Sequence, residues 1–93
     1  MLFELGQTVA TRGVVEEMKK DSYFKKFVDR SFARHCNGDW GDLCKEDKEM
    51  NDEALAHEDD RIVSKYNYNS DVSIYIITEW DRSATTILFP DEY

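Results

Sequence analysis

Apolar residues change their spacing from one stretch of the chain to the next, and each change marks an element. Phe3, Leu5 and Val9 stand among polar neighbours over residues 3–10, which predicts a short opening strand with Gly6-Gln7 as its weak point. Thr11 is placed to cap a helical turn running through Val14, Val15 and Met18. A clearer helix starts at Asp21 or Ser22. Phe24, Phe27, Val28, Ser31, Phe32 and His35 follow the i, i+3, i+4, i+7 rhythm of one buried face, with Lys25, Lys26, Asp29, Arg30 and Arg34 elsewhere. Asn37-Gly38 ends it, because both residues tolerate the left-handed backbone that terminates helices.

Residues 39–60 have a different texture. Asp39-Trp40-Gly41-Asp42-Leu43 reads as a tight connection pinned by one aromatic and one aliphatic side chain. A helix from about Cys44 to Ala56 follows, anchored by Leu43, Met50, Ala54 and Leu55, its remaining surface polar and mostly acidic. From Arg61 the period shortens to two. Arg61–Tyr68, Val72–Thr78 and Ala84–Phe89 read as strands, separated by Asn69-Ser70-Asp71 and Trp80–Ser83 and closed by Pro90. The expected fold is α+β. A three-stranded antiparallel meander plus the short N-terminal strand forms a small antiparallel sheet, covered on one face by two to three helices.

Length makes this one domain, residues 1–93, with a modest core. Twelve aromatic residues argue against disorder even though 34% of the chain is charged. The net charge of −8 is unevenly placed. Residues 39–60 hold ten acids (Asp39, Asp42, Glu46, Asp47, Glu49, Asp52, Glu53, Glu58, Asp59 and Asp60) against Lys45 and Lys48, which accounts for all of it. The remainder balances, and residues 19–34 are basic: Lys19, Lys20, Lys25, Lys26, Arg30 and Arg34 face Asp21 and Asp29. This layout excludes a free-standing nucleic-acid binder, which needs cations to displace counterions from phosphate. No apolar run suits a membrane span and no basic-then-apolar leader is visible, so a cytoplasmic protein with Cys36 and Cys44 as reduced thiols is expected; one disulfide stays open if the segment between them folds back.

Catalytic chemistry finds little support in the sequence. His35, Cys36, Cys44 and His57 lack the short ligand spacings of a zinc site, and nothing activates a Cys–His pair. Glu79 and Asp81 end a strand beside Arg82 without the lysine that a magnesium-dependent nuclease uses, and the four glycines are scattered rather than forming a phosphate cradle. No metal and no cofactor is expected. Trp40 and Trp80, each beside an acid in a connection, are either lids on the core or anchors for a partner. An acidic helix has two physical uses. It keeps a protein soluble, or its carboxylates, about 5–6 Å apart at i+3 and i+4, imitate the phosphates of a nucleic-acid strand.

Several passages carry a family resemblance across nearly the whole chain. They are Phe3 to Thr11 (FELGQTVAT), Ala33-Arg34-His35 with Gly38 to Leu43 (GDWGDL), Glu46-Asp47 leading to Asn51 to Leu55 (NDEAL), Ile76 to Leu88 (IITEWDRSATTIL), and Pro90 to Tyr93. The chain resembles a family of small single-domain proteins of bacterial plasmids, phages and mobile elements, often labelled "type I restriction endonuclease subunit M". A methyltransferase role does not fit 93 residues without a glycine-rich cofactor loop. Arg12, Lys19–Phe27, Ala56–Asp60 and Trp80 depart from the family pattern. The resemblance implies a mobile-element setting, in which small acidic proteins often block CRISPR effectors or restriction enzymes. The expected function is therefore a non-enzymatic anti-defence inhibitor. Asp42, Glu46, Asp47, Glu49, Asp52, Glu53, Glu58, Asp59, Asp60 and Trp40 would meet the basic nucleic-acid groove of a host defence protein, with no direct nucleic-acid or membrane contact. The alternative is an accessory protein–protein module of the element with no inhibitory role, binding through Trp40 and Trp80. Under either reading, the basic helix would balance the acidic stripe across an intramolecular or a homodimer interface.

Overall fold

The computed structural model describes residues 2–58 and 60–93. Four strands form one sheet in the order β1-β4-β3-β2: β1 (Gln7–Ala10), β2 (Ile62–Asn67), β3 (Ser73–Thr78) and β4 (Ala84–Leu88). The meander is as the period-two segments require, with β2 antiparallel to β3 and β3 antiparallel to β4. The N-terminal strand corrects the expectation of a wholly antiparallel sheet. It pairs with β4 in parallel, Gln7 beside Ala84 through Ala10 beside Ile87, so the sheet is mixed. The cause lies at Gly6, whose φ of 64° turns the chain against the β3–β4 connection so closely that a Cβ there would collide with the Ser83 carbonyl. Residues 3–6 are consequently not strand, and pairing begins at Gln7.

Helix α1 (Arg12–Lys20) starts where Thr11 accepts the Val14 N–H, and α2 (Ser22–Cys36) where Asp21 accepts those of Tyr23 and Phe24. Their apolar faces lie on one side of the sheet. Val14, Phe24 and Val28 pack with the inward residues Tyr66, Ile74, Ile76 and Ile87 in the main core. A second, smaller cluster of Trp40, Ala54 and Ile62 lies under α3 (Lys45–His57).

Helix α3 closes the free edge of β2 rather than joining the layer formed by α1 and α2. The Asn51 side chain, 5% exposed, donates to the Val63 carbonyl at 2.7 Å and accepts the Val63 N–H at 3.1 Å. Two residues along, the Lys65 N–H reaches the Trp40 carbonyl, and the Lys65 carbonyl accepts from the Asp42 N–H. The Asp42 carboxylate then takes the Asn67 N–H at 2.8 Å. The outward backbone groups that would recruit another strand are thus occupied by residues 40–51. Gly41, at φ 77°, permits this approach, since a Cβ there would run into the Lys65 carbonyl and the Tyr66 ring.

Candidate partner-binding surface

Helical periodicity divides the acids of α3 by direction. Asn51, Ala54 and Leu55 face the sheet edge, which places Glu46, Glu49 and Glu53 together on the opposite side. All three are exposed, and they span about 10 Å of helix at 1.5 Å per residue. Asp47, also exposed, lies on the flank shared with Met50. Only one base approaches this stripe among the described residues: Lys45 sits 3.9 Å from Glu49, with both side chains largely in water. Such a pair is worth under about 1 kcal/mol. The stripe keeps its negative potential.

The other residues expected to contact a partner have structural duties. Trp40 is 4% exposed, so it has no accessible face for a partner and belongs to the core instead. Its indole N–H donates to Asp52 Oδ1 at 2.9 Å, which fixes that carboxylate on the flank of α3 facing Trp40. Asp42 is exposed but holds the sheet edge. Glu58 and Asp60 follow the end of α3. Glu58 has a left-handed φ of 55°, and the Asp60 carbonyl accepts from Arg82. Arg82 also donates to the carbonyls of Glu79, Trp80 and Ala54, tying the end of α3 to the β3–β4 connection. Asp59 lies outside the described residues. The ten expected contacts therefore do not make one surface; Glu46, Glu49 and Glu53 do, while Asp47, four residues before Asn51, lies toward the sheet edge with Met50 and Val63.

The basic helix does not neutralise this surface. Among the described residues, Arg34 is the one base of that helix to reach the acidic segment, in a fork to Asp39 at 2.7 and 3.1 Å that holds the Asp39 carboxyl below its ordinary range. Lys25 pairs with Asp29 on its own helix. Trp80, by contrast with Trp40, is 64% exposed, beside Leu2 at 58%.

Sequence reasoning missed a buried polar relay. His35 is fully buried, with Nδ1 2.6 Å from Ser64 Oγ and Nε2 2.9 Å from Thr78 Oγ1; Thr78 meets Thr85 at 2.8 Å, and Thr85 donates to the Leu5 carbonyl. That last bond sets the direction of the relay: Thr85 accepts from Thr78, and Thr78 from His35 Nε2–H. In the neutral ring Nδ1 then accepts from Ser64. Burial against Phe3 and Trp40, ring centroids 5.4 and 5.9 Å away, pushes its pKa down to about 4. Ser64 and His35 have the contacts of a nucleophile and its base, yet neither side chain is accessible to a substrate. Both ring nitrogens are taken, so His35 is no metal ligand. Cys36 is buried, Cys44 is exposed, and both are free thiols. Among the described residues no helix is long and apolar enough to cross a membrane.

Compared with known proteins, the chain matches no family model, no curated protein and no solved structure.

Proposed function

We propose that the chain is a non-enzymatic anti-defence inhibitor of the anti-CRISPR or antirestriction type. It would act in the cytoplasm of a bacterium that hosts a plasmid, phage or other mobile element, in keeping with the family it resembles. The observation that carries the reading is the stripe of Glu46, Glu49 and Glu53. These are exposed carboxylates at i, i+3 and i+7, and among the described residues the one base in ion-pair reach is Lys45 at the start of the same helix. Neighbouring carboxylates three or four residues apart on a helix sit about 5–6 Å from each other, close to the interval between phosphates along a strand. A cleft built to hold a nucleic-acid backbone meets charges of the right sign at the right interval. Such an association is steered by exposed charge and weakens as salt shortens the screening length.

The test is survival of a targeted phage or plasmid in bacteria with an active CRISPR or restriction system, with and without the chain. The chain is expected to raise survival, and the variant Glu46→Gln, Glu49→Gln, Glu53→Gln to lose the effect while its circular dichroism spectrum is unchanged. Equal protection by both proteins would refute binding through the stripe. Trp80 favours the alternative of an accessory binding module, because an exposed indole on a connection clamped by Arg82 suits a salt-tolerant contact. In that case Trp80→Ala, not the glutamine variant, removes partner binding.

A further inference from the structure

The balanced charge of the chain outside residues 39–60 conceals a second acidic locus, at the opposite end of the sheet layer from the close of α3. There the corner between α1 and α2, the β2–β3 turn and the segment after β4 enclose a groove of about 490 Å³. Its floor is aromatic. Tyr68 and Phe89, both half-buried, supply its exposed aromatic surface, packed at 5.2 and 5.7 Å on Phe24, which is itself buried in the core. Four carboxylates, Glu17, Asp21, Asp71 and Asp91, line it, and no lysine or arginine does. Asp21 is committed to capping α2 and to the Tyr68 hydroxyl. The side chains of Glu17, Asp71 and Asp91 have neither hydrogen bond nor ion pair among the described residues, and they come from three separate elements.

We infer that this groove seats an arginine side chain carried on a basic segment of a partner protein. A guanidinium is flat, weakly hydrated and always charged. It stacks on aromatic rings and offers five donors in a plane to carboxylates on more than one side. The groove offers both halves of that recognition: half-exposed aromatic surface of Tyr68 and Phe89 below, and free carboxylates around. A lysine ammonium would use the charge but not the planar faces. The groove is open along its length, whereas sites for small free ligands cover most of the ligand's surface. An arginine borne on a peptide brings its own backbone and neighbours to cover what the groove leaves open. The inference is independent of the glutamate stripe on α3.

The test is a ¹⁵N–¹H titration of the full chain with the blocked pentapeptide Gly-Arg-Gly-Arg-Gly, with its citrulline counterpart, and with guanidinium chloride alone. Each is repeated on the Glu46→Gln, Glu49→Gln, Glu53→Gln variant so that the stripe does not compete. The arginine peptide is expected to shift Tyr68, Asp71–Ser73 and Phe89–Asp91 saturably in both proteins. The double variant Asp71→Asn, Asp91→Asn, at two exposed positions, should weaken it about tenfold, equivalent to about 1.4 kcal/mol. Equal binding of the citrulline peptide would overturn the inference, as would shifts confined to α3. Guanidinium binding as tightly as the peptide would show a small-cation site instead. Concentration-dependent shifts of the same residues without peptide, together with Lys25 and Lys26, would show that a second copy fills the groove.

Discussion

Acid should destabilise this protein earlier than its carboxylates alone would, and His35 is the reason. The imidazole is neutral in the folded state, enclosed by Phe3 and Trp40 and donating into the Thr78–Thr85 relay, and its folded pKa is about 4 against an ordinary 6.5. A depressed histidine pKa means that the unfolded chain takes up the proton first. The stability contribution is therefore intact above about pH 6.5 and falls steadily as pH drops toward about 4, below which no further loss accrues from this group. At one pKa unit per 1.36 kcal/mol the full loss is about 3 kcal/mol, and about 2 kcal/mol of it is already gone at pH 5. For a domain of this size that is a large part of a total stability of about 5–15 kcal/mol. Asp39, depressed by Arg34, and Glu92, depressed by the Thr11 hydroxyl and the Phe89 N–H, act lower. Their contributions are present above the ordinary carboxylate range and fade only below it, outside the interval from pH 6.5 to 5.

The assay is urea denaturation followed by far-ultraviolet circular dichroism at pH 7, 6 and 5, on the chain and on His35→Gln. A glutamine offers one acceptor for Ser64 and one donor for Thr78 and cannot titrate. The wild type is expected to lose about 2 kcal/mol between pH 7 and pH 5, and the variant to lose little. Parallel losses in the two proteins would refute the reasoning. If His35→Gln does not fold, the wild type decides alone: the His35 ring resonances should titrate near pH 4 with the proton on Nε2 above that. Titration near 6.5, or a proton on Nδ1, contradicts the relay.

Other outcomes follow from the edge of β2 and from the two tryptophans. Asn51→Leu removes both partners of Val63 while keeping an apolar bulk against the sheet, and should cost about 2–3 kcal/mol in urea unfolding and expose an aggregation-prone edge. Gly41→Ala forces a side chain into the Lys65 carbonyl at positive φ, and should lower stability by at least about 2 kcal/mol on the same measurement. Trp40→Ala should cost about 3–5 kcal/mol because it empties the cluster under α3. Trp80→Ala should change unfolding by less than about 0.5 kcal/mol, since 64% of its surface is already in water. Reversed ranks for the two tryptophans would contradict the packing described.

The sequence made the strands and helices legible because their periods are clean. Phe24, Val28 and His35 repeat at helical spacing, and Ile74, Ile76 and Thr78 alternate. It hid the direction of β1, which four residues with an exposed face do not encode and which Gly6 decides by contact with Ser83, distant in sequence. It also hid the relay, although a trace was present. Ser64 between Ile62 and Tyr66, Thr78 after Ile76, and Thr85 before Ile87 are polar residues at inward positions, and such positions demand a partner. His35, at the end of the α2 apolar face, is that partner. The acidic segment was readable as charge but not as direction, because its division between edge-capping and outward residues depends on where Asn51 meets β2.

That division explains how so acidic a helix holds its place. The apolar face of α3 is thin, little more than Ala54, Leu55 and the preceding Leu43, and like charges at i+3 and i+4 work against it by a few tenths of a kcal/mol per pair. Polar anchors outweigh this. Asn51 satisfies two backbone groups, Asp42 a third, and Asp52 the Trp40 indole, each worth about 1 kcal/mol or more because the alternative is an unmet group at a covered edge. The anchors all lie on the inward and flanking sides, so the outward side is released from any duty to the fold. Neutralising Glu46, Glu49 and Glu53 relieves repulsion without touching an anchor. A loss of partner binding in that variant is then a property of the surface and not of a weakened domain.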